Sequence, residues 1–197
     1  MSRGLKAVAI FIAFAAIYTL SRHAISSTTT TTTSSTTSST TTSLATTTTT
    51  SKTTCLGSDF SGAFNQGQGA AGTIYASITL TKNSGAPCTV DGWPQLTLQD
   101  KTGGVLALNE VRLPGTSQGI QFSQTQANQP PTLLHLQQGS STTFALGYND
   151  VQVGNTSCVN AVTISVQFQA GASAVAVTPS YPIQPCDNGR VWVSPFF

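Results

Sequence analysis

From Gly72 to Lys82, apolar and polar residues take turns. Ile74, Ala76, Ile78 and Leu80 fall on one parity, and Tyr75, Ser77, Thr79 and Thr81 on the other. The same alternation sets Val162, Ile164, Val166 and Phe168 against Thr163, Ser165 and Gln167. It returns briefly at Leu96 and Leu98 and at Val175 and Val177. A period of two puts alternate side chains on opposite faces of an extended chain, so these segments predict half-buried antiparallel strands. Turn signals separate them at Asn83-Ser84-Gly85, Lys101-Thr102-Gly103-Gly104, Gln138-Gly139, Ala170-Gly171 and Asp187-Asn188-Gly189. No stretch after Cys55 carries a helical period. About seven to nine short strands of this kind read as an all-β chain folded into a sandwich.

Upstream of Cys55 the pattern is different. Arg3 and Lys6 precede Ala7–Leu20, 14 residues without a charge. That order fits the basic and apolar regions of a secretory signal, and the stretch is shorter than the roughly 20 residues of a membrane-spanning helix. Residues 1–26 are therefore read as an apolar helix, either a cleaved signal peptide or an uncleaved signal-anchor inserted in a membrane. Arg3-Gly4 also resembles the processing site of archaeal pilin-type signals. No cysteine follows the apolar run, so a bacterial lipid anchor at that point is excluded.

Residues 27–54 follow, and 25 of these 28 are Ser or Thr. Such a segment has too little apolar surface to offset the entropy of ordering it, so it is read as a disordered spacer. Extended at about 3.1 Å per residue, it would span on the order of 85 Å. Dense Ser/Thr tracts also accept O-linked sugars. A long spacer makes most sense on a tethered domain, which favours the anchor. Residues 55–197 are left as one domain of ordinary size.

Charge changes the picture of the domain. The chain carries a formal +2, but Arg3, Lys6, Arg22 and Lys52 all precede Cys55. The domain sets Lys82, Lys101, Arg112 and Arg190 against Asp59, Asp91, Asp100, Glu110, Asp150 and Asp187, four cations against six anions. No basic surface remains to neutralise phosphates, which argues against nucleic-acid binding.

The four cysteines are Cys55, Cys88, Cys158 and Cys186. Four in an exported domain imply two disulfides, with three formal pairings. A hairpin brings together residues equidistant from its turn. Cys158 and Cys186 are centred on residue 172, inside the Ala170–Ser173 turn, and Cys55 and Cys88 on 71.5, inside the Gly-rich 67–72 segment. The expected pairs are Cys55–Cys88 and Cys158–Cys186, each contributing about 3–4 kcal/mol by restricting the unfolded chain. Their spacings lack the Cys-x-x-Cys of a metal site.

The stretch from Thr81 to Pro94 has an Asn-x-Gly turn, then Pro87-Cys88, Val90, and Gly92-Trp93-Pro94. It resembles the signature of an uncharacterised four-cysteine domain family found mainly in actinobacterial secreted proteins and lipoproteins. The resemblance continues through Leu136–Ser141, Cys158 and Cys186–Pro195. It implies an immunoglobulin-like β-sandwich of unknown function and brings no active site with it. Many members begin with a lipid-anchored cysteine that this chain lacks; the spacer and apolar segment would serve instead.

Candidate chemistry is sparse. His135 is the domain's sole histidine and reads as an outward strand residue. Asp91, Asp100 and Asp187 sit where Asp stabilises turns through its own backbone. No metal or cofactor set is expected. Trp93 and Trp192 lie near cysteines and read as core packed on the disulfides, or as an aromatic platform for recognition. Asn155-Thr156-Ser157 is a glycosylation sequon, which would place Asn155 in solvent. Gly115–Pro131 is the best candidate recognition loop. The expected function is a non-enzymatic surface domain, with membrane contact through its N-terminus, that binds a cell-surface glycan or protein. A pilin-like or coat subunit is the alternative, and a hydrolase a more distant one.

Overall fold

Alternation becomes a sheet when one parity finds a common interior. In β2 (Thr73–Lys82), Ala76, Ile78, Leu80 and Lys82 are buried, while the intervening residues are only partly so. A computed structural model describes residues 53–115 and 120–197. The apolar segment 1–26 and all but the last two residues of the spacer lie outside them. Thr53 and Thr54 join the folded part: Thr89 N–H donates to Thr53 O at 2.8 Å, and Thr54 bridges Thr89 in parallel.

Ten strands form among the described residues, more than expected. Strand β1 (Phe60–Ala70) pairs with β2, and β2 with β7 (Ser141–Asn149). Beside β7 lie β10 (Arg190–Val193) and then β5 (Asn109–Arg112), completing a five-stranded sheet. A three-stranded sheet holds β4 (Gln95–Gln99), β8 (Thr163–Gln167) and β9 (Val175–Val177), and a pair holds β3 (Cys88–Val90) and β6 (Leu134–Leu136). The extra strands are three or four residues long, too short to show a period.

The expected purely antiparallel arrangement needs a correction. Strand β10 runs parallel to β5. Local turns fix the direction of hairpin partners only; β10 returns beside β5 from far along the chain, so no turn constrains its direction.

The main core lies between the sheets, giving a sandwich-like arrangement. Ile78, Leu80, Phe144, Leu146, Val191 and Val193 come from the larger sheet. Leu96, Leu98, Ile164, Val166, Val175 and Val177 come from the three-stranded sheet, and Val90 and Leu136 from the pair. Phe60, Phe168, Phe196 and Phe144 cross the interior in a chain, with ring centroids 4.6, 5.4 and 5.7 Å apart.

Cys55 is bonded to Cys88 and Cys158 to Cys186, with no free cysteine. Each bond sits just beyond a hairpin. The β1–β2 register centres near the Ala71-Gly72 turn, and the bridge between Ala161 and Ile183 shares the midpoint of the second cystine. The first disulfide is buried, whereas Cys158 is exposed. Two disulfides are the chemistry of an oxidising, extracytoplasmic environment.

Candidate functional site

The outward parity of the five-stranded sheet is covered at one end and open at the other. In β7, Phe144, Leu146 and Tyr148 face the main core, while Ala145 and Gly147 face outward. Those small residues leave room for a cover. A Cβ on Gly147 would collide with the Ile120 side chain and lie 3.5 Å from Phe122. Ile120, Phe122 and Ala127 accordingly settle over the sheet with Leu113, Ala145 and Trp192, forming a second cluster. Asn128 holds this flap in shape. Its Nδ2–H donates to Phe122 O at 2.7 Å and Gln124 O at 3.0 Å, and its Oδ1 accepts from Phe122 N–H at 3.0 Å.

Within residues 115–131, the expected recognition loop, Ile120, Phe122 and Ala127 pack over the sheet while most of the described residues, Gln121 and Gln124 among them, stay exposed; 116–119 lie outside the described residues. The cover ends beside β1 and β2, and an open cleft of about 820 Å³ remains there. Its floor has Tyr75 and Phe122, whose rings meet edge to face at 6.4 Å. Its walls present five amides: Asn65, Gln66 and Gln68 from β1, and Gln121 and Gln124 from the flap. Ser77 and Ser123 add hydroxyls, and among the described residues no acidic, basic or histidine side chain lines the cleft.

The β1 wall departs from a regular strand. Gln66 pairs with Ala76, but Gly69 pairs with Ile74, so a bulge lies between them. A Cβ on Gly67 would strike the Tyr75 carbonyl oxygen. Only a glycine permits that approach, and the bulge re-aims the neighbouring amides. Gly67 and Gly69 are therefore in-strand residues rather than part of the expected turn. The turn itself is Ala71-Gly72, with φ of 52° and 80°, the pair of positive values that suits a two-residue hairpin. Asn65 Nδ2–H donates to Thr79 Oγ1, which also bonds Thr143 Oγ1, each at 3.1 Å. Among the described residues, Gln66, Gln68 and Gln121 are exposed and make no side-chain hydrogen bond.

The two tryptophans do other work. Trp192 is 8% exposed within the second cluster, and its partners there are the flap and sheet rather than a cystine. Trp93 donates its Nε1–H to Leu113 O at 2.8 Å, and Arg112 lies 6.0 Å from its ring centroid. Neither lines the cleft. Asn155 is exposed, and beside it Thr156 Oγ1 donates to Val153 O at 2.8 Å. His135 is exposed on β6.

Charged groups serve the architecture. Asp100 Oδ1 accepts from Thr102 Oγ1–H at 2.6 Å, Thr102 N–H at 2.8 Å and Gly104 N–H at 2.9 Å. These bonds, the Thr102 hydroxyl first, hold its carboxyl below the ordinary carboxylate range. Asp187 pairs with Arg190 at 2.9 Å across a left-handed turn in which Asp187 and Asn188 have φ of 54° and 58°. Glu110 pairs with Arg112 at 2.7 Å. Lys82 is wholly buried against Asp59. Burial pushes the Tyr148 hydroxyl up to about 12, with a smaller contribution from Asp150.

Sequence reasoning located the flap's segment but missed the β1 amides and Tyr75. The available signal was Asn65-Gln66-Gly67-Gln68-Gly69, an amide-glycine run ahead of a strongly alternating strand. The family described as a domain of unknown function (DUF4232) matches residues 55–196. No curated protein and no solved structure matches the chain.

Proposed function

The chain belongs to the DUF4232 family, and from that premise we propose that it is an extracytoplasmic binding domain. On this reading the fold is immunoglobulin-like. The apolar segment 1–26 tethers it to a membrane, and residues 27–54 hold it away from the surface. Its task is adhesion or recognition rather than catalysis. The observation that carries the reading is the open, uncharged cleft of about 820 Å³, where exposed amides flank an aromatic floor. Such a site offers hydrogen bonds and a stacking face, and among the described residues none that lines it supplies a base for a nucleophile. The bulge at Gln66–Gly69 also favours binding over strand-to-strand assembly, because it interrupts the exposed edge of β1.

Two measurements test this. Protease added to intact cells displaying the full chain should cut residues 27–54 and release the disulfide-bonded domain. The released domain should adhere to cell-envelope fractions, and Gln66→Ala/Gln68→Ala/Gln121→Ala should weaken that adhesion without changing the melting temperature. Protection of the chain inside intact cells, or adhesion indifferent to the triple variant, would overturn the proposal.

A further inference from the structure

Resting on that reading, we infer that the ligand of the cleft is a neutral saccharide chain. Three features point there. The first is charge: among the described residues, those lining the cleft include no Asp, Glu, Lys, Arg or His. A phosphate, sulfate or uronate would find no counter-charge, and a cationic ligand no anion. The second is donor chemistry. Each amide presents a planar donor and acceptor side by side, which suits the vicinal hydroxyls of a sugar. Gln66, Gln68 and Gln121 have that capacity free among the described residues. The third is the floor. Tyr75 is partly exposed, offering a ring against which the C–H face of a sugar can pack.

A neutral peptide is the competing occupant, and the geometry disfavours it. An extended peptide gains most by adding a strand to a regular sheet edge. The edge beside this cleft is β1, and its ladder breaks between Gln66 and Gly69. Gly67 and Gly69 contribute only backbone to the lining, and the amide side chains stand around them. The cleft is open to solvent along the sheet and has the volume of a sizeable ligand site. Several sugar units of a chain fit that description better than one enclosed ring.

Affinity electrophoresis of the full chain tests the assignment. The gels contain mannan, glucan, galactan or arabinan as neutral arms, polygalacturonate as an acidic arm, and a tethered Gln/Ser peptide as the peptide arm. A parallel pull-down uses whole envelope fractions. The expected result is retardation in at least one neutral arm, changing less than about twofold when salt is raised tenfold. Gln68→Ala and Gln121→Ala should each weaken it about three- to tenfold, the loss of one or two hydrogen bonds. Retardation only by polygalacturonate, or only by the peptide, would overturn the neutral-saccharide assignment while leaving a binding cleft in place, provided the glutamine variants weaken it. If no arm retards the chain but envelope capture remains glutamine-dependent, the saccharide assignment falls alone. Capture that is absent, or indifferent to both variants, removes the binding reading itself.

Discussion

Lys82 is the last inward-facing residue of β2, and its side chain is fully buried. Its Nζ donates to Ser84 O at 2.6 Å and to Asp59 Oδ2 at 3.3 Å, and stands 5.2 Å from the Phe60 ring centroid. Asp59 is different: its side chain is 24% exposed, so water reaches the carboxylate. That asymmetry predicts unequal consequences for the two partners. Asp59→Ala strands a buried ammonium with one carbonyl and a ring. Stranding a buried charge costs about 3–5 kcal/mol in general, and the partners that remain place this site near 2–3 kcal/mol. Lys82→Met keeps the apolar stem in the core and removes the charge. The groups it abandons are Asp59, which rehydrates, and an exposed-turn carbonyl, so the cost is about 1 kcal/mol or less.

The double variant should be no less stable than Lys82→Met by more than about 0.5 kcal/mol, a coupling of roughly 2 kcal/mol. Denaturant unfolding of the oxidised chain at neutral pH measures all four corners of the cycle. Asp59→Ala should also melt lower by roughly 4–12 °C, given about 2–4 °C per kcal/mol for a domain of this size. Lys82→Met costing as much as Asp59→Ala, or costs that simply add, would show that the ammonium is not held in a dry site. The pair matters because Asp59 O also accepts from Asn83 N–H at 2.8 Å and Ser84 N–H at 3.3 Å. It therefore pins the turn that delivers Cys88 to Cys55.

Gly67→Ala should destabilise by about 1–3 kcal/mol because its Cβ meets the Tyr75 carbonyl, while Gln68→Ala in the same bulge stays within about 0.5 kcal/mol. Hydrogen exchange at residues 69–74 should rise in the first variant alone; equal behaviour would refute the close approach. Under limiting reductant, Cys158 and Cys186 should be alkylated before Cys55 and Cys88, since Cys158 is exposed and the other cystine is buried; the reverse order in peptide maps would contradict this. Tyr148 has its hydroxyl raised from 10.0 to about 12 in the fold, so its contribution to stability is intact below pH 10 and is lost as pH rises through about 12. Ultraviolet titration should show a late phenolate step that Tyr148→Phe removes.

Strands with one dry face and one wet face were readable from the chain. Ile74–Leu80 and Val162–Phe168 alternate because hydroxyls and amides occupy the opposite parity. Strand β7 hid its period, since Ala145 and Gly147 on its outward parity are buried too, beneath the flap. A strand covered on both faces loses alternation. Lys82 falls on the buried parity of the Ile74–Leu80 run, but what its charge would meet there, Asp59 and the Ser84 carbonyl, depends on tertiary packing. The cystine pairs followed from hairpin symmetry, which is local arithmetic. The cleft did not, because it joins residues 65–69, 75–77 and 121–124, brought together by a bulge and by the space over Gly147.

Scarcity of charge is what gives this outer face its character. Asp100 is spent on its own turn, Asp187 on Arg190, Glu110 on Arg112, and Asp59 on a buried lysine. These ions are engaged within a turn, along β5 or at the end of β2, and the described lining of the cleft is left with amides, hydroxyls and two aromatic rings. A site of that kind selects by hydrogen-bond geometry and shape, each contact worth about 0.5–1.5 kcal/mol net. A handful of such contacts gives weak single-site binding after the cost of association. Weak sites become useful when many copies meet a repeating ligand, because each further contact then forms at the effective concentration set by its tether. A domain tethered and binding a polymeric saccharide as proposed would meet both conditions. One copy should dissociate quickly, and a surface carrying many should not.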